Sequence, residues 1–163
     1  MIRKRKFLPH GIPEWVQSGA VYFLTICCKV RGNNALCSAE SANVIFEATG
    51  FRHKANKWYV HLLLLMPDHL HALVSFPRVE SMRKVVYGFK EMTAKRSSVT
   101  WQRDFFEHRL RSDESFDEKA HYIRMNPVRK GLAEAPEKWP WVWRADNKPG
   151  GPSGPALPVV VNS

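Results

Sequence analysis

Cysteine, acidic residues and long apolar runs are all scarce in this sequence, and each shortage closes off a class of protein. The three cysteines form no CxxC pair, and Cys27 and Cys28 are neighbours in a strand-like segment, which sends their side chains to opposite faces. With Cys37 they are expected to be reduced structural thiols rather than a disulfide framework or a zinc site. Apolar runs such as Leu62 to Met66 fall far short of the roughly 20 residues that cross a bilayer. The positive start Met1 to Lys6 leads into Pro9, His10, Gly11, Pro13 and Glu14 instead of an apolar export segment. A soluble, cytoplasmic protein is expected. Acidic residues number 15 against 25 Lys and Arg, a formal charge of +10, which calls for a polyanionic partner. No basic amphipathic helix stands beside a long apolar stretch, so nucleic acid is favoured over a membrane surface.

No internal repeat is present, and 163 residues suit one domain with tails. A basic arm occupies 1–18, a folded domain 19–144, and a Gly/Pro-rich tail 145–163, the last expected to be disordered. Val21 to Cys28 is rich in β-branched and aromatic residues and predicts a strand. Ser38 to about Lys54 predicts a helix, with Ser38 as N-cap, Glu40 in the first turn and Ala42, Ile45, Phe46 and Thr49 on one face. Trp58 to Met66 is apolar on both parities, as in a strand buried on two sides, and Pro67-Asp68 turns it into a second run from His69 to Phe76. Between Ser81 and Lys95, Met82, Val85, Val86, Phe89 and Thr93 share a helical face, with basic residues mostly elsewhere. Phe105 to Arg111 alternates loosely and predicts a short strand. The resulting β-α-β-β-α-β order defines an α+β, ferredoxin-like sandwich with an antiparallel sheet, two helices on one face and the other face open. A further helix from Asp117 to Met125 follows, stopped or kinked at Asn126-Pro127.

In a strand, His69 and His71 project from one face while Leu70, Ala72 and Val74 project from the other. Paired imidazoles commonly hold a divalent ion, and they suit Mn, Zn or Fe better than Mg alone. The plain alternative is two polar positions on a half-buried strand. Tyr122 and Asn126, four apart on a helix, present a phenol and an amide oxygen together. A phenol with a pKa near 10 is a weak nucleophile at neutral pH, so phosphoryl transfer through it would need a metal. Against this stand a tyrosine packed on the sheet and an asparagine capping a helix that begins at Pro127. Arg3, Lys4, Arg5, Lys6, Lys90, Lys95, Arg96, Arg109, Arg111 and Arg129 could line a phosphate-binding groove, with Lys130 beside them. His108 lies near the same region. Trp139, Trp141 and Trp143 could stack bases, although tryptophans around a proline more often pack a chain terminus onto a domain.

Three ordered segments carry a family likeness: Met66-Pro67-Asp68-His69-Leu70-His71, then Trp101 to Phe105 with His108-Arg109, then Tyr122 to Leu132. Together with Leu8-Pro9-His10 in the arm, this pattern resembles the REP-associated tyrosine transposases over roughly residues 1–144. The resemblance implies an HUH-type domain using Mg²⁺ or Mn²⁺, with His69 and His71 as metal ligands, Asn126 completing the metal shell and Tyr122 as nucleophile. It implies attack on single-stranded DNA to leave a 5′-phosphotyrosine and a free 3′-hydroxyl. The implied substrate is a REP or BIME palindrome folded as a hairpin, with a flanking tetranucleotide read partly by the arm. A monomer or homodimer associated with the nucleoid fits that role.

Two other readings compete. A non-catalytic nucleic-acid-binding module of RRM-like fold shares the βαββαβ order, but it needs stacking aromatics on central strands, where this chain carries histidines. A hydrolase whose histidine pair activates water would not need Tyr122.

Overall fold

The computed structural model describes residues 12–145. Arg3, Lys4, Arg5 and Lys6, and the tail beyond residue 145 with its expected disorder, lie outside the described residues.

The described chain runs α1 (Glu14–Ser18), β1 (Tyr22–Cys27), α2 (Ala39–Lys54), β2 (Tyr59–Leu65), β3 (His69–Ser75), α3 (Met82–Arg96), β4 (Phe106–Arg109), α4 (Phe116–Arg129), a 3-10 turn (Pro136–Lys138) and β5 (Val142–Arg144). All strand pairs are antiparallel, in the order β4-β1-β3-β2-β5. The first four positions are those of a ferredoxin-like sandwich, as the element order predicts. Three short elements were not anticipated, the 3-10 turn Pro136–Lys138 among them. Residues 14–18, assigned to the arm, form α1 and bury Val16, and β5 adds a strand beside β2.

The three long helices each begin where a serine can satisfy a free N–H group, whereas α1 starts after Pro13 with no side-chain cap. Ser38, Ser81 and Ser115 accept from the backbone N–H of Ser41, Lys84 and Glu118 at the starts of α2, α3 and α4. Of the two outcomes expected at Asn126-Pro127, a stop or a kink, the stop does not occur: helix α4 continues through Pro127 to Arg129. Proline forfeits one hydrogen bond there, and burial of its ring within the last turns offsets the loss. Gly131 then takes φ +71°, the left-handed conformation that ends a helix cheaply, and its N–H reaches the carbonyl of Val128.

The period of two along the strands sorts the sheet into two unlike faces. Leu24 and Ile26 pair with Ala72 and Leu70 on one side, where Trp58 meets Phe89 of α3 and donates from its indole to Thr49 of α2. Leu24, Ile26, Ile45, Trp58 and Phe89 are almost wholly buried, each worth about 1.5–3 kcal/mol of transfer free energy. On the other side Phe23, Thr25 and Cys27 pair with Leu73, His71 and His69. That face is not left open as expected, because α4 lies across β2 and β3 and buries Ala120, Ile123 and Asn126 against them. A register shift between Val60 and Leu62 places His61 beside Ser75, with its Nε2 2.9 Å from the hydroxyl.

Burial, aided by the nearby His53, pushes the His61 imidazole down from its ordinary value near 6.5 to about 4. In the unfolded chain this ring takes up a proton below 6.5, whereas in the folded chain it stays neutral until about 4. Stability therefore falls as pH drops through that window, by at most about 1.4 kcal/mol per pH unit for this group. His61→Gln should flatten the slope of urea-denaturation stability between those two pH values; a slope equal to that of the parent would show that protonating the ring costs the fold nothing.

Candidate active site

His69 opens β3, and His71 lies two residues on, so alternation brings their ring centroids to 4.8 Å on the α4 side of the sheet. Neither ring stands in open solvent. His69 is half-buried, and His71 is 9 % exposed. Each is oriented through Nδ1: His69 donates to Asp68 Oδ1 at 2.7 Å, and His71 Nδ1 lies 3.0 Å from the Thr25 hydroxyl. Among the described residues neither Nε2 has a hydrogen-bond partner, so both are available to a ligand.

Asp68, which reads in the sequence as turn chemistry, is the hub of this arrangement. Its second oxygen accepts from the Gly32 N–H at 2.8 Å and lies 3.2 Å from Arg31 Nε. Gly32 holds φ +88°, a conformation that points its N–H at the carboxylate and that a side chain would strain. Burial pushes the Asp68 carboxyl up, but the hydrogen bonds from Gly32 and His69 and the Arg31 charge outweigh it and hold it below its ordinary value. Burial pushes His69 down, partly countered by Asp68, with the Arg31 and Lys130 charges adding to the fall. For His71 burial dominates, and His69, Arg129 and Arg31 add to it, taking the ring to about 3. Both imidazoles are thus neutral at pH 7, the form that coordinates a metal.

Tyr122 projects from α4 with half its surface exposed. Its ring lies 6.4 Å from that of Phe23, which in turn lies 5.4 Å from His71, so one phenylalanine bridges the phenol and the imidazole pair. The Arg129 guanidinium sits 4.3 Å above the Tyr122 ring and donates to the Tyr122 carbonyl at 2.6 Å. Asn126, one turn beyond Tyr122, is 7 % exposed, and among the described residues its side-chain amide has no hydrogen-bond partner. Its amide atoms still reach solvent: among the described residues the buried side-chain polar atom without a partner is Trp141 Nε1. The continuous helix also removes the alternative of Asn126 as an N-cap.

No group of three or more His, Cys, Asp and Glu among the described residues could hold a metal ion. The two imidazoles are the donors that lie together here, with Asn126 on the helix packed over their strand. They suit a divalent ion that keeps part of its water shell.

Among the described residues the other basic residues assigned to a groove do not converge. Lys90 is buried, not on a DNA-facing surface: its ammonium donates to the carbonyls of Gln102 at 2.6 Å and Arg103 at 2.8 Å, pinning the approach to β4. On α3, a helix packed on the face away from the histidines, Lys95 pairs with Glu91, and Arg96 reaches across to Glu47 of α2. Arg109 and Arg111 line a shallow depression with Tyr22 and Ser112, and His108 Nε2 there is 2.9 Å from Glu114. Trp139 and Trp141 are buried, with Trp139 donating to the Leu65 carbonyl, so they pack the chain terminus and do not stack bases. Asp68, Arg31, Thr25 and Phe23 were missed as site residues. A carboxylate directly before the first histidine was the one local signal; Arg31 comes from a loop with no pattern of its own.

A ferredoxin-like sandwich with a histidine pair on one face, covered by a helix that carries an exposed tyrosine, is the class of domain these features define. No family model matches the chain. It is 25% identical over 140 residues, 76% of this chain and 78% of the relative, to a Haemophilus influenzae protein named as a candidate REP-associated tyrosine transposase. Its fold is similar to that of a REP-associated tyrosine transposase solved bound to a REP hairpin, with a TM-score of 0.64 and 22% identity over 76% of each chain. The likeness to the REP-associated tyrosine transposases read from three short segments thus extends to most of the chain.

Loss of the Lys90 ammonium would strand two carbonyls, a cost of about 1–3 kcal/mol. Lys90→Met should lower the melting temperature by roughly 2–10 °C while leaving affinity for single-stranded DNA unchanged. Weaker binding at unchanged stability would return the lysine to the DNA-contacting surface.

Proposed function

We propose that the chain is a metal-dependent endonuclease and strand transferase acting on single-stranded DNA, with Tyr122 as nucleophile. One observation carries the reading: two neutral imidazoles, each held through Nδ1 with Nε2 free, lie under a helix that presents an exposed phenol and a partnerless amide one turn apart. His69, His71 and Asn126 would hold Mg²⁺ or Mn²⁺, and the bound ion would supply polarisation of the scissile phosphate.

Tyr122 Oη attacks phosphorus, and the bond from phosphorus to the 3′-oxygen breaks. The phenol proton leaves to solvent, the departing 3′-oxygen takes one up, and a 5′-phosphotyrosine remains. Attack by a 3′-hydroxyl reverses these changes, so joining needs no external energy source. Arg129 and Arg31 supply positive charge where the phosphate must sit. Residues 19–144 form the catalytic domain in this reading, and the arm 1–18, with Arg3, Lys4, Arg5 and Lys6, reads DNA beside the hairpin. The substrate is a REP or BIME palindrome, bound by a monomer or homodimer at the nucleoid. Among the described residues no helix is long and apolar enough to cross a membrane, which is compatible with that location.

Incubation with a labelled single-stranded REP hairpin and Mn²⁺ should give a covalent adduct on denaturing gels, absent for Tyr122→Phe. Cleavage that persists in Tyr122→Phe would instead mark a water-activating hydrolase, and binding with no cleavage by the parent a non-catalytic module. His69→Ala and His71→Ala should abolish cleavage yet bind the hairpin almost as well as the parent, because affinity rests on phosphate contacts. Asp68→Asn weakens the hold on His69, and Mn²⁺ titration should show affinity lowered about 10–100-fold. Unchanged Mn²⁺ affinity would remove Asp68 from the ion's supporting shell.

A further inference from the structure

Antiparallel pairing places Phe106 of β4 directly across from Thr25 of β1, and Thr25 directly across from His71 of β3. Residues opposite one another in such a ladder share a face, so Phe106, Thr25 and His71 form one row running from the sheet edge into the candidate active site. The neighbouring Phe105 confirms the alternation, since its ring points to Tyr87 of α3 on the other side, 6.1 Å away.

Phe106 is 61 % exposed. Solitary exposed apolar side chains are common and call for no explanation by themselves. This one differs in its position: helix α4 packs on β2 and β3, while among the described residues the Phe106 ring at the β4 edge of the same face stays exposed, two strands from a histidine of the site. Arg31 lies beside the histidines at the inner end of the row, whereas Arg109, three residues along β4 from Phe106, projects from the opposite face. An exposed aromatic ring on an edge strand, in line with a site that holds a cation, can bind an unpaired nucleobase by stacking while the cation meets a phosphate of the same strand.

We propose that Phe106 is a stacking platform for an unpaired nucleobase of single-stranded DNA that crosses the β4 edge toward the histidine pair. The inference rests on the DNA-processing reading above and adds to it a subsite that tolerates any base, because every base has a π-face. It also assigns a direction to the bound strand, across the β4–β1 edge and not beneath α4.

The test uses the full chain carrying Tyr122→Phe, which prevents cleavage, and fluorescence anisotropy with two labelled ten-residue probes, oligo-dT and a fully abasic strand of the same charge. Phe106→Ala should weaken oligo-dT binding about tenfold and leave abasic-strand binding unchanged. Phe106→Trp should restore oligo-dT affinity. Equal losses on both probes, or no loss on either, would overturn the platform while the nuclease reading stood. Failure of the parent to bind oligo-dT or a single-stranded REP hairpin would instead bring down the nuclease reading itself. Thermal melts of the Phe106 variants should coincide with that of the parent, as expected for an exposed ring; a lowered melt accompanied by losses on both probes would assign the residue to the fold.

Discussion

The alternation of β3 is the constraint from which the rest follows. Leu70, Ala72 and Val74 are buried on the helix-covered face, and their burial leaves one register for the strand. In that register His69 and His71 must both emerge on the opposite side, facing Thr25, Cys27 and the underside of α4. A slip of one residue would drive the imidazoles into the core and expose three apolar side chains. The free energy that holds the hydrophobic face together therefore also aims the two rings, and the site needs no separate scaffold.

Charge is arranged around this pair with a similar economy. Burial keeps both rings neutral, and the cations Arg31, Arg129 and Lys130 reinforce that neutrality. A neutral nitrogen ringed by fixed positive charge favours an anion approaching from outside and disfavours a proton on the ring. Asp68 sits at the junction of the two effects: it accepts from His69 and holds Arg31 through its other oxygen. One carboxylate thus couples the orientation of an imidazole to the placement of a cation. Tyr122 and Asn126 share one helix face, so any displacement of α4 that moved the phenol would carry the amide with it.

What could be read from the sequence was whatever local pattern determines. Period-two and helical spacing placed the six elements of the sandwich, and Ser38 marked the start of one helix, because alternation and capping are short-range physics. The histidine pair and the tyrosine stood out for the same reason. What depended on the fold was harder. Lys90 reads as one more surface cation, and only the packing of α3 against the loop before β4 buries its ammonium among carbonyls. Pro127 reads as a helix stop or kink, yet tertiary burial carries α4 past it to Arg129. Arg31 and Asp68 are 37 positions apart and meet only because the loop after β1 folds over the β2–β3 turn, where Ala35 and Leu36 donate to the Pro67 carbonyl. Phe106 had no pattern to announce it; its meaning comes from its row, and the row exists only once three strands are paired.

The strand β5 has a consequence away from the site. It pairs with Leu62, Leu63 and Leu64 of β2, while the Trp139 indole caps the Leu65 carbonyl and the Leu65 N–H bonds to the Trp141 carbonyl. Without that cover, Tyr59–Leu65 would be a naked, leucine-rich border of unpaired amides, the kind of template on which identical chains pile up into insoluble β-aggregates. Three residues of strand and a tryptophan thus act as a guard against self-association.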